Sequence, residues 1–297
     1  SITGTHPSLS AFYCYANRIT SIDVSMLSSA IYITLPNNTS LSSIVLPSNS
    51  NTLTAVTAQS TRISSLNSSE NNNLSQLYIN NTQVTDFSNI QVNKNSMAEI
   101  QANYLSASFL DFTGYNSLIT LDVGYSTYLT KVGFPTASAI DELYVRESPT
   151  PLLDVSSVGT VTYLYLSPTT SSTVILPSTN AVQAEVGLEA NYQENFITAS
   201  IQFRGSVSDY LRCSTYIYAD IDLTTATSGS VINNINITSG ATLGSISFPP
   251  KGTIQINNIT FGQAKKTQQR HTGVQSVLHY LLRRILGRSD YTSIYVY

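Results

Sequence analysis

Apolar residues recur at fixed offsets along the first part of the chain. Between Leu74 and Phe87 they stand at offsets 0, 3, 5, 10 and 13, and a small polar residue, Thr82, stands at offset 8. Seven further copies of this pattern can be aligned at a nearly constant period of about 22 residues. The eight copies begin at Leu9, Ala30, Leu53, Leu74, Met97, Leu118, Ile140 and Val161. A repeat of this length predicts a solenoid, in which each unit buries its apolar face only against its neighbours.

Each unit predicts one short strand and one polar turn. The apolar residues at offsets 3 and 5, such as Leu77 and Ile79, alternate with polar residues, as in a strand with one buried face. The offset-8 residue is Asn, Thr or Ser in seven of the eight units, and we expect it to hydrogen-bond turn backbone inside the coil. Cys14 stands at a predicted inward position, where a thiol packs as a small hydrophobic group.

The pattern Leu74-x-x-Leu77-x-Ile79-x-x-Thr82 resembles the leucine-rich repeat family in its short bacterial form, over about residues 9–178. Many of the leucines are replaced by Val, Ile, Ala or Met, and the usual Asn is mostly Thr or Ser. The resemblance implies a curved solenoid with parallel strands on its concave face, and recognition more often than catalysis. A parallel β-helix is the alternative architecture, because a unit of this length also suffices to close one of its coils.

The repeat register fades after residue 178. We place the solenoid at residues 1–188, with a degenerate ninth unit around residues 181–186. Residues 189–263 contain strand-like runs separated by Gly and Pro turns, which predict a β-rich C-terminal module or a coarse continuation of the solenoid.

Residues 264–297 change in character. The stretch 265–288 holds 6 of the 14 basic residues and no acidic one. A capping box formed by Thr272 and Gln275 predicts an amphipathic helix, followed by a terminal strand at residues 291–297. Its apolar face comprises Val274, Val277, Leu278, Leu281, Leu282 and Ile285. This face could cap the core or dock on a neighbouring subunit, whereas the basic cluster is too short, and too poor in aromatic residues, to favour nucleic acid or an anionic membrane.

The best candidate binding surface is the outward side of the predicted strands. Tyrosine offers apolar area with a polar tip, which suits protein or glycan ligands, although cross-strand packing would also explain tyrosines in strands. The candidate residues on this concave face are Tyr13, Tyr15, Tyr32, Tyr78, Asn80, Gln101, Asn103, Tyr144, Arg146, Tyr163 and Tyr165.

Catalysis and bound cofactors are not indicated. The three histidines, His6, His271 and His279, belong to no nucleophile or metal motif, and the two cysteines lie far apart in the chain. The sequence leaves open whether Cys14 and Cys213 pair. Asp122 and Glu142 fall on adjacent predicted strands, which is the one arrangement compatible with glycoside hydrolysis. We therefore expect a non-enzymatic protein with no cofactor and no metal.

Composition points to a surface-exposed β protein. Only 10% of residues are charged, and no run of 18 apolar residues predicts a transmembrane segment. Seven Asn-x-Ser/Thr triplets are glycosylation candidates or chance occurrences in an Asn-rich chain, namely those at Asn37, Asn38, Asn67, Asn73, Asn80, Asn236 and Asn258. Extracellular, cell-surface and virion locations all fit.

Two functions follow from these observations. The first is an extracellular or cell-surface recognition or adhesion protein that binds protein or glycan through the concave strands. The alternative is a structural subunit of a virion fibre, spike or coat, or of an extracellular filament, self-assembled through residues 265–297.

Overall fold

The computed structural model describes residue 6 and residues 8–136, 139–187, 197–214, 216–238, 240–250, 253–261 and 291–296. Within them the chain forms 24 strands and one 3-10 turn, Phe87–Asn89. The strands are β1 (Ala11–Tyr13), β2 (Ser21–Asp23), β3 (Tyr32–Thr34), β4 (Ser43–Val45), β5 (Ala55–Thr57), β6 (Leu66–Asn67), β7 (Gln76–Tyr78), β8 (Ile90–Gln91), β9 (Glu99–Asn103), β10 (Phe109–Asp111), β11 (Thr120–Gly124), β12 (Lys131–Gly133), β13 (Ile140–Ser148), β14 (Leu152–Asp154), β15 (Thr160–Pro168), β16 (Ser172–Ile175), β17 (Asn180–Val186), β18 (Ile197–Gln202), β19 (Ser206–Cys213), β20 (Ile217–Asp222), β21 (Val231–Ile237), β22 (Thr242–Ser247), β23 (Gln255–Phe261) and β24 (Tyr291–Val296).

The strands build a parallel β-solenoid. The odd-numbered strands β1 to β23, followed by β24, form one 13-stranded sheet, here called the major sheet. The even-numbered strands β2 to β22 lie on the other side of each coil, in three two-stranded sheets and one five-stranded sheet. Every pairing between described strands is parallel, as successive coils wound in the same direction require.

The predicted inward residues of the major sheet form the core. At offsets 3 and 5, Leu77 and Ile79 are fully buried, as are Ile33, Leu35 and Leu121. Register explains this layering, because Ile33 pairs with Val56, which pairs with Leu77. Cys14, in the first coil, is only partly buried, since that coil has a neighbour on one side among the described residues.

A left-handed residue ends the major strand of each of the first seven units. It stands at offset 7 and has a positive φ between 41° and 60°. These residues are Ala16, Asn37, Ser60, Asn81, Tyr104, Tyr125 and Glu147. This backbone conformation turns the chain while the amide still donates to the next coil, as from Asn81 N to Asn103 O at 2.8 Å.

The polar residue at offset 8 follows that turn and is buried inside the coil in the second, third, fourth, sixth and seventh units. Asn38 is fully buried; its Nδ2 donates to Leu35 O at 2.9 Å and to Cys14 O at 2.7 Å. Thr82 Oγ1 donates to Ile79 O at 2.9 Å. The prediction that this position satisfies turn backbone is confirmed.

The second half of each unit forms a short strand and a turn. Asp23, Asp111 and Asp154 end β2, β10 and β14, and each accepts a hydrogen bond from the backbone amide two residues later. These are the turn roles predicted for the three aspartates. The described chain therefore has strands on both sides of its coils, as in the alternative β-helix architecture.

The solenoid continues beyond residue 188. Strands β18 to β23 extend both sides of the coils in parallel, so of the two alternatives left open for residues 189–263, the described part is the continuation of the solenoid. The repeat fades because the steps between successive major strands become longer, as from Ala181 to its partner Val207, and because register shifts interrupt the pairing in β17, β19 and β20. The terminal strand is present as β24, which pairs with β23.

The predicted amphipathic helix, with Val274, Val277, Leu278, Leu281, Leu282 and Ile285, lies outside the described residues. None of the helical structure in the described ranges is long and apolar enough to span a bilayer.

Candidate functional site

A groove crosses the outward face of the major sheet above β11. Its floor consists of the short side chains of Thr120 and Asp122, and the strand ends at Gly124, which has none. The walls are longer side chains on the neighbouring strands. They are Glu99 and Gln101 on β9, and Glu142, Tyr144 and Arg146 on β13.

The groove is shallow and open to solvent, with a volume of about 470 Å³, and Ile119 and Asp141 line its N-terminal end. Because adjacent strands lie about 4.8 Å apart, the backbones of β9 and β13 are roughly 10 Å apart. The five residues of β11 give a length of about 13 Å. The groove therefore has room for a single extended chain or a short oligosaccharide lying parallel to the strands.

Gly124 permits the close approach of β11 and β13 at the end of the floor. Its φ is +149°, and a Cβ built there would lie 2.0 Å from the carbonyl oxygen of Arg146 and 2.5 Å from its backbone nitrogen. Only glycine fits such a position without displacement of backbone.

Arg146 joins the floor to one wall. Its Nε lies 3.2 Å from Asp122 Oδ1, and its guanidinium carbon lies 4.4 Å from the centroid of the Tyr144 ring. Tyr144 in turn packs against Tyr163, with ring centroids 5.6 Å apart. The aromatic wall is thus held in place by an ion pair and a neighbouring ring.

Carboxylates raise the pKa values of tyrosines on both sides of the groove. Burial, a hydrogen bond to Glu99 and the charge of Glu99 raise the pKa of Tyr78 to about 12. Burial and the charge of Glu142 raise the pKa of Tyr144. Both tyrosines therefore stay neutral at physiological pH and can donate hydrogen bonds.

The predicted face residues separate into two groups. Tyr13, Tyr15 and Tyr32 are 61%, 63% and 45% exposed at the N-terminal end of the major sheet, away from the groove. A second group lies in or next to the groove. It comprises Tyr78, Asn80, Gln101, Asn103, Tyr144, Arg146, Tyr163 and Tyr165.

Within the second group, the side chains of Tyr78, Tyr144, Tyr163 and Tyr165 remain partly exposed. Asn103 differs, because it is only 7% exposed and its backbone amide donates to Asn80 Oδ1 at 2.8 Å. Tyr144 lies directly opposite Tyr165 in the register.

Sequence reasoning missed a second arginine–tyrosine pair. Arg212 packs over Tyr210 at 4.9 Å from the ring centroid, and its Nη1 lies 3.6 Å from Glu185 Oε2 on β17. The available signal was the tripeptide Tyr-x-Arg, which occurs at Tyr144 and again at Tyr210. The spacing between units changes at a register shift between β17 and β19, so the repeat alignment did not reach this pair.

Comparisons of the chain with protein-family models, with curated proteins and with solved structures found no match. The site is therefore interpreted from its own geometry.

The glycosylation candidates differ in exposure. Asn37, Asn67 and Asn73 are exposed, whereas Asn80, Asn236 and Asn258 are partly buried in or beside the major sheet. Asn38 is fully buried, and its side chain holds the turn described above. A glycan on Asn38 would be incompatible with this fold, so that candidate is wrong for the folded protein.

The carboxylate pair considered for hydrolysis lies in the groove. Glu142 pairs in register with Thr120, two residues before Asp122, and Asp122 is the partner of Arg146. Among the described residues, no group of three or more His, Cys, Asp and Glu side chains is arranged to hold a metal ion.

The two thiols are free in the structure. Cys213 is fully buried, and burial together with the charge of Glu185 raises its pKa to about 12. The structure thus answers the question that the sequence left open, since Cys14 and Cys213 do not pair, and Cys213 is a core residue.

Proposed function

We propose that this protein is a non-enzymatic recognition module that binds its ligand in the groove over β11. The observation that carries the proposal is the groove itself, with its short floor, its aromatic wall at Tyr144 and its charged side chains. Recognition sites combine rigid aromatic area with a few fixed polar groups, and this groove has both.

The support for binding over catalysis is the ion pair of Asp122 with Arg146. Asp122 Oδ1 lies 3.2 Å from Arg146 Nε, so this carboxylate is engaged within the protein, whereas a hydrolytic pair needs its ionised carboxylate aimed at the sugar or at the attacking water. Three expectations from the sequence remain part of the proposal. The ligand is a protein or a glycan, the location is extracellular, at the cell surface or in a virion, and the strand motif is similar to that of leucine-rich repeats.

The test is a binding screen of the full chain against immobilised glycans and surface proteins. We expect Tyr144→Ala to weaken the selected interaction about tenfold or more, because a partly buried aromatic at the centre of a site carries much of the binding free energy. Tyr128→Ala is the matched control, because Tyr128 is 65% exposed in the turn before β12 and lies outside the groove. Equal losses from both variants, with unchanged thermal midpoints, would contradict the assignment.

A second candidate is the assembly subunit, favoured by one observation. After residues 262–290, the chain returns to the major sheet as β24 and forms its last strand among the described residues. A C-terminal segment tied to a sheet edge is suited to strand addition between subunits.

A further inference from the structure

The groove carries an excess of negative charge. Four carboxylates line it, from Glu99, Asp122, Asp141 and Glu142, against the single guanidinium of Arg146, which gives a formal charge of −3. The walls are about 10 Å apart, which exceeds the screening length of about 8 Å at physiological ionic strength, so direct repulsion between opposite walls is largely screened. The excess charge gives the groove a negative potential that favours a bound cation, most strongly at low salt.

The same face holds a guanidinium twice from within the chain. Arg146 lies between Asp122 and the Tyr144 ring, and Arg212 lies between Glu185 and the Tyr210 ring. In both cases the carboxylate comes from the preceding strand of the sheet. A strand-borne tyrosine with a carboxylate beside it is thus a cation-holding arrangement in this fold.

Tyr144 and Glu142 extend that arrangement into the groove. Glu142 is exposed, and it shares β13 with the Tyr144 ring. Across the floor, Glu99 accepts hydrogen bonds from the amides of Gln76, at 3.2 Å, and Gln101, at 3.3 Å. These neutral donors fix the position of the Glu99 carboxylate without cancelling its charge.

Asn103 carries an unmatched acceptor next to the end of the groove. It follows Gln101 on β9 and pairs in register with Gly124, and it lies just outside the residues that line the groove. Its Oδ1 atom is buried and has no hydrogen-bond partner among the described residues. A buried acceptor without a donor is unfavourable, so an N–H group that reached this atom would be stabilised there.

From these observations we infer that the groove binds an extended basic segment of a protein partner, with an arginine or lysine side chain between Glu99 and Glu142. This inference rests on the recognition function proposed above and names its ligand class. A length of about 13 Å accommodates roughly four extended residues. A neutral glycan would gain nothing from the negative charge of the groove.

The probe is a capped pentapeptide of alternating serine and arginine, titrated into the full chain by calorimetry. Its matched control is the same peptide with citrulline for arginine, which keeps the shape and most donors and removes the charge. We expect the arginine peptide to bind at least about tenfold more tightly at low salt, and its affinity to fall as salt is raised.

Two variants locate the site. Glu142→Gln and Glu99→Gln should each weaken the arginine peptide roughly fivefold, whereas Glu70→Gln, in an exposed turn outside the groove, should have no effect. Glu142→Lys should abolish binding. Because Glu142 is exposed, its two changes are expected to leave the unfolding midpoint unchanged, and the midpoint of every variant, including Glu99→Gln, is measured in parallel.

The outcomes separate this inference from the proposed function. Equal affinity for the arginine and citrulline peptides, or no binding of the arginine peptide at low salt, would overturn it. Binding of a neutral oligosaccharide that needs Tyr144 but tolerates Glu142→Gln would also overturn it and would leave the recognition function standing. If no ligand binds in any assay, both the inference and the proposed recognition function are wrong.

Discussion

Gly124 shows how one residue determines the shape of the groove. The preceding floor residues, Thr120 and Asp122, keep the floor low, and Gly124 lets the backbone of Arg146 come close enough for its side chain to meet Asp122. A side chain at position 124 would have to displace backbone, because the nearest atoms belong to the main chain of β13.

We expect Gly124→Ala to destabilise the protein by about 2–4 kcal/mol, through the backbone clash and the positive φ together. Gly229→Ala is the control, because Gly229 has φ +86° but no atom within 4 Å of the added Cβ, and it should cost only about 1 kcal/mol. The loss of stability in each variant is measured by urea denaturation. Similar losses in the two variants would show that the close contact with β13 contributes nothing.

Residue-scale turn chemistry was only partly visible in the sequence. The buried polar position was predictable, because Asn38, Thr61 and Thr82 recur at offset 8 and a buried turn needs such donors. The left-handed residue before it was not, because none of the seven is glycine and side chains as different as Ala16 and Tyr104 occupy it. The local sequence therefore carries no signature of that backbone conformation.

At the scale of strands, the contact between Tyr78 on β7 and Glu99 on β9 makes stability depend on pH. Burial, and after it the hydrogen bond and charge of Glu99, raise the pKa of Tyr78 to about 12, so the neutral form of the phenol is favoured in the folded state. Its contribution to stability is complete below pH 10 and is lost as the pH rises through 12. The protein should therefore lose stability between pH 10 and 12.

We expect Tyr78→Phe to reduce that loss, since phenylalanine does not ionise. In Glu99→Gln the pKa of Tyr78 should fall but remain above 10, because burial persists. The titration is followed by the absorbance of tyrosinate as the pH is raised, and the free energy of unfolding is measured at the same pH values. An unchanged titration in Glu99→Gln would show that Glu99 does not act on Tyr78.

The strands themselves were predictable to different degrees. The major-sheet strands follow from alternating inward pairs such as Leu77 and Ile79. The short strands opposite them contribute as little as one inward residue each, as Ile22 does in β2, and a single apolar position has no period. The groove depends on side-chain length across β9, β11 and β13, which becomes apparent only when the three strands are placed side by side.

At the scale of the whole molecule, the fold is a stack in which each coil covers the next. Sequence periodicity predicted this stack over the first eight units, where the spacing stays nearly constant. In the later coils the step from one major strand to the next lengthens, as between Ala181 and its partner Val207, and the bulge that follows this pair shifts the register further, so a fixed-period search loses it. Parallel pairing nevertheless continues to β23, because the inward positions Ile232 and Ile256 still align.

The ends of the stack provide the test between the two candidate functions. A version of the chain that stops at residue 262 would lose β24 and leave the edge of β23 unpaired, with Ile256 and Ile259 in the last layer. Both chains end in a strand edge, but the shortened chain also loses cover from its last apolar layer, where Ile256 and Ile259 are buried in the full chain. We therefore expect the full chain to be monomeric by light scattering and the shortened chain to self-associate as its concentration rises. The opposite result, a full-length oligomer that dissociates when residues 263–297 are removed, would favour the assembly subunit over the recognition module. A shortened chain that remains monomeric would show that β24 is not needed to protect the edge of β23, because other features of that edge, such as its asparagine side chains, would then be sufficient to block pairing.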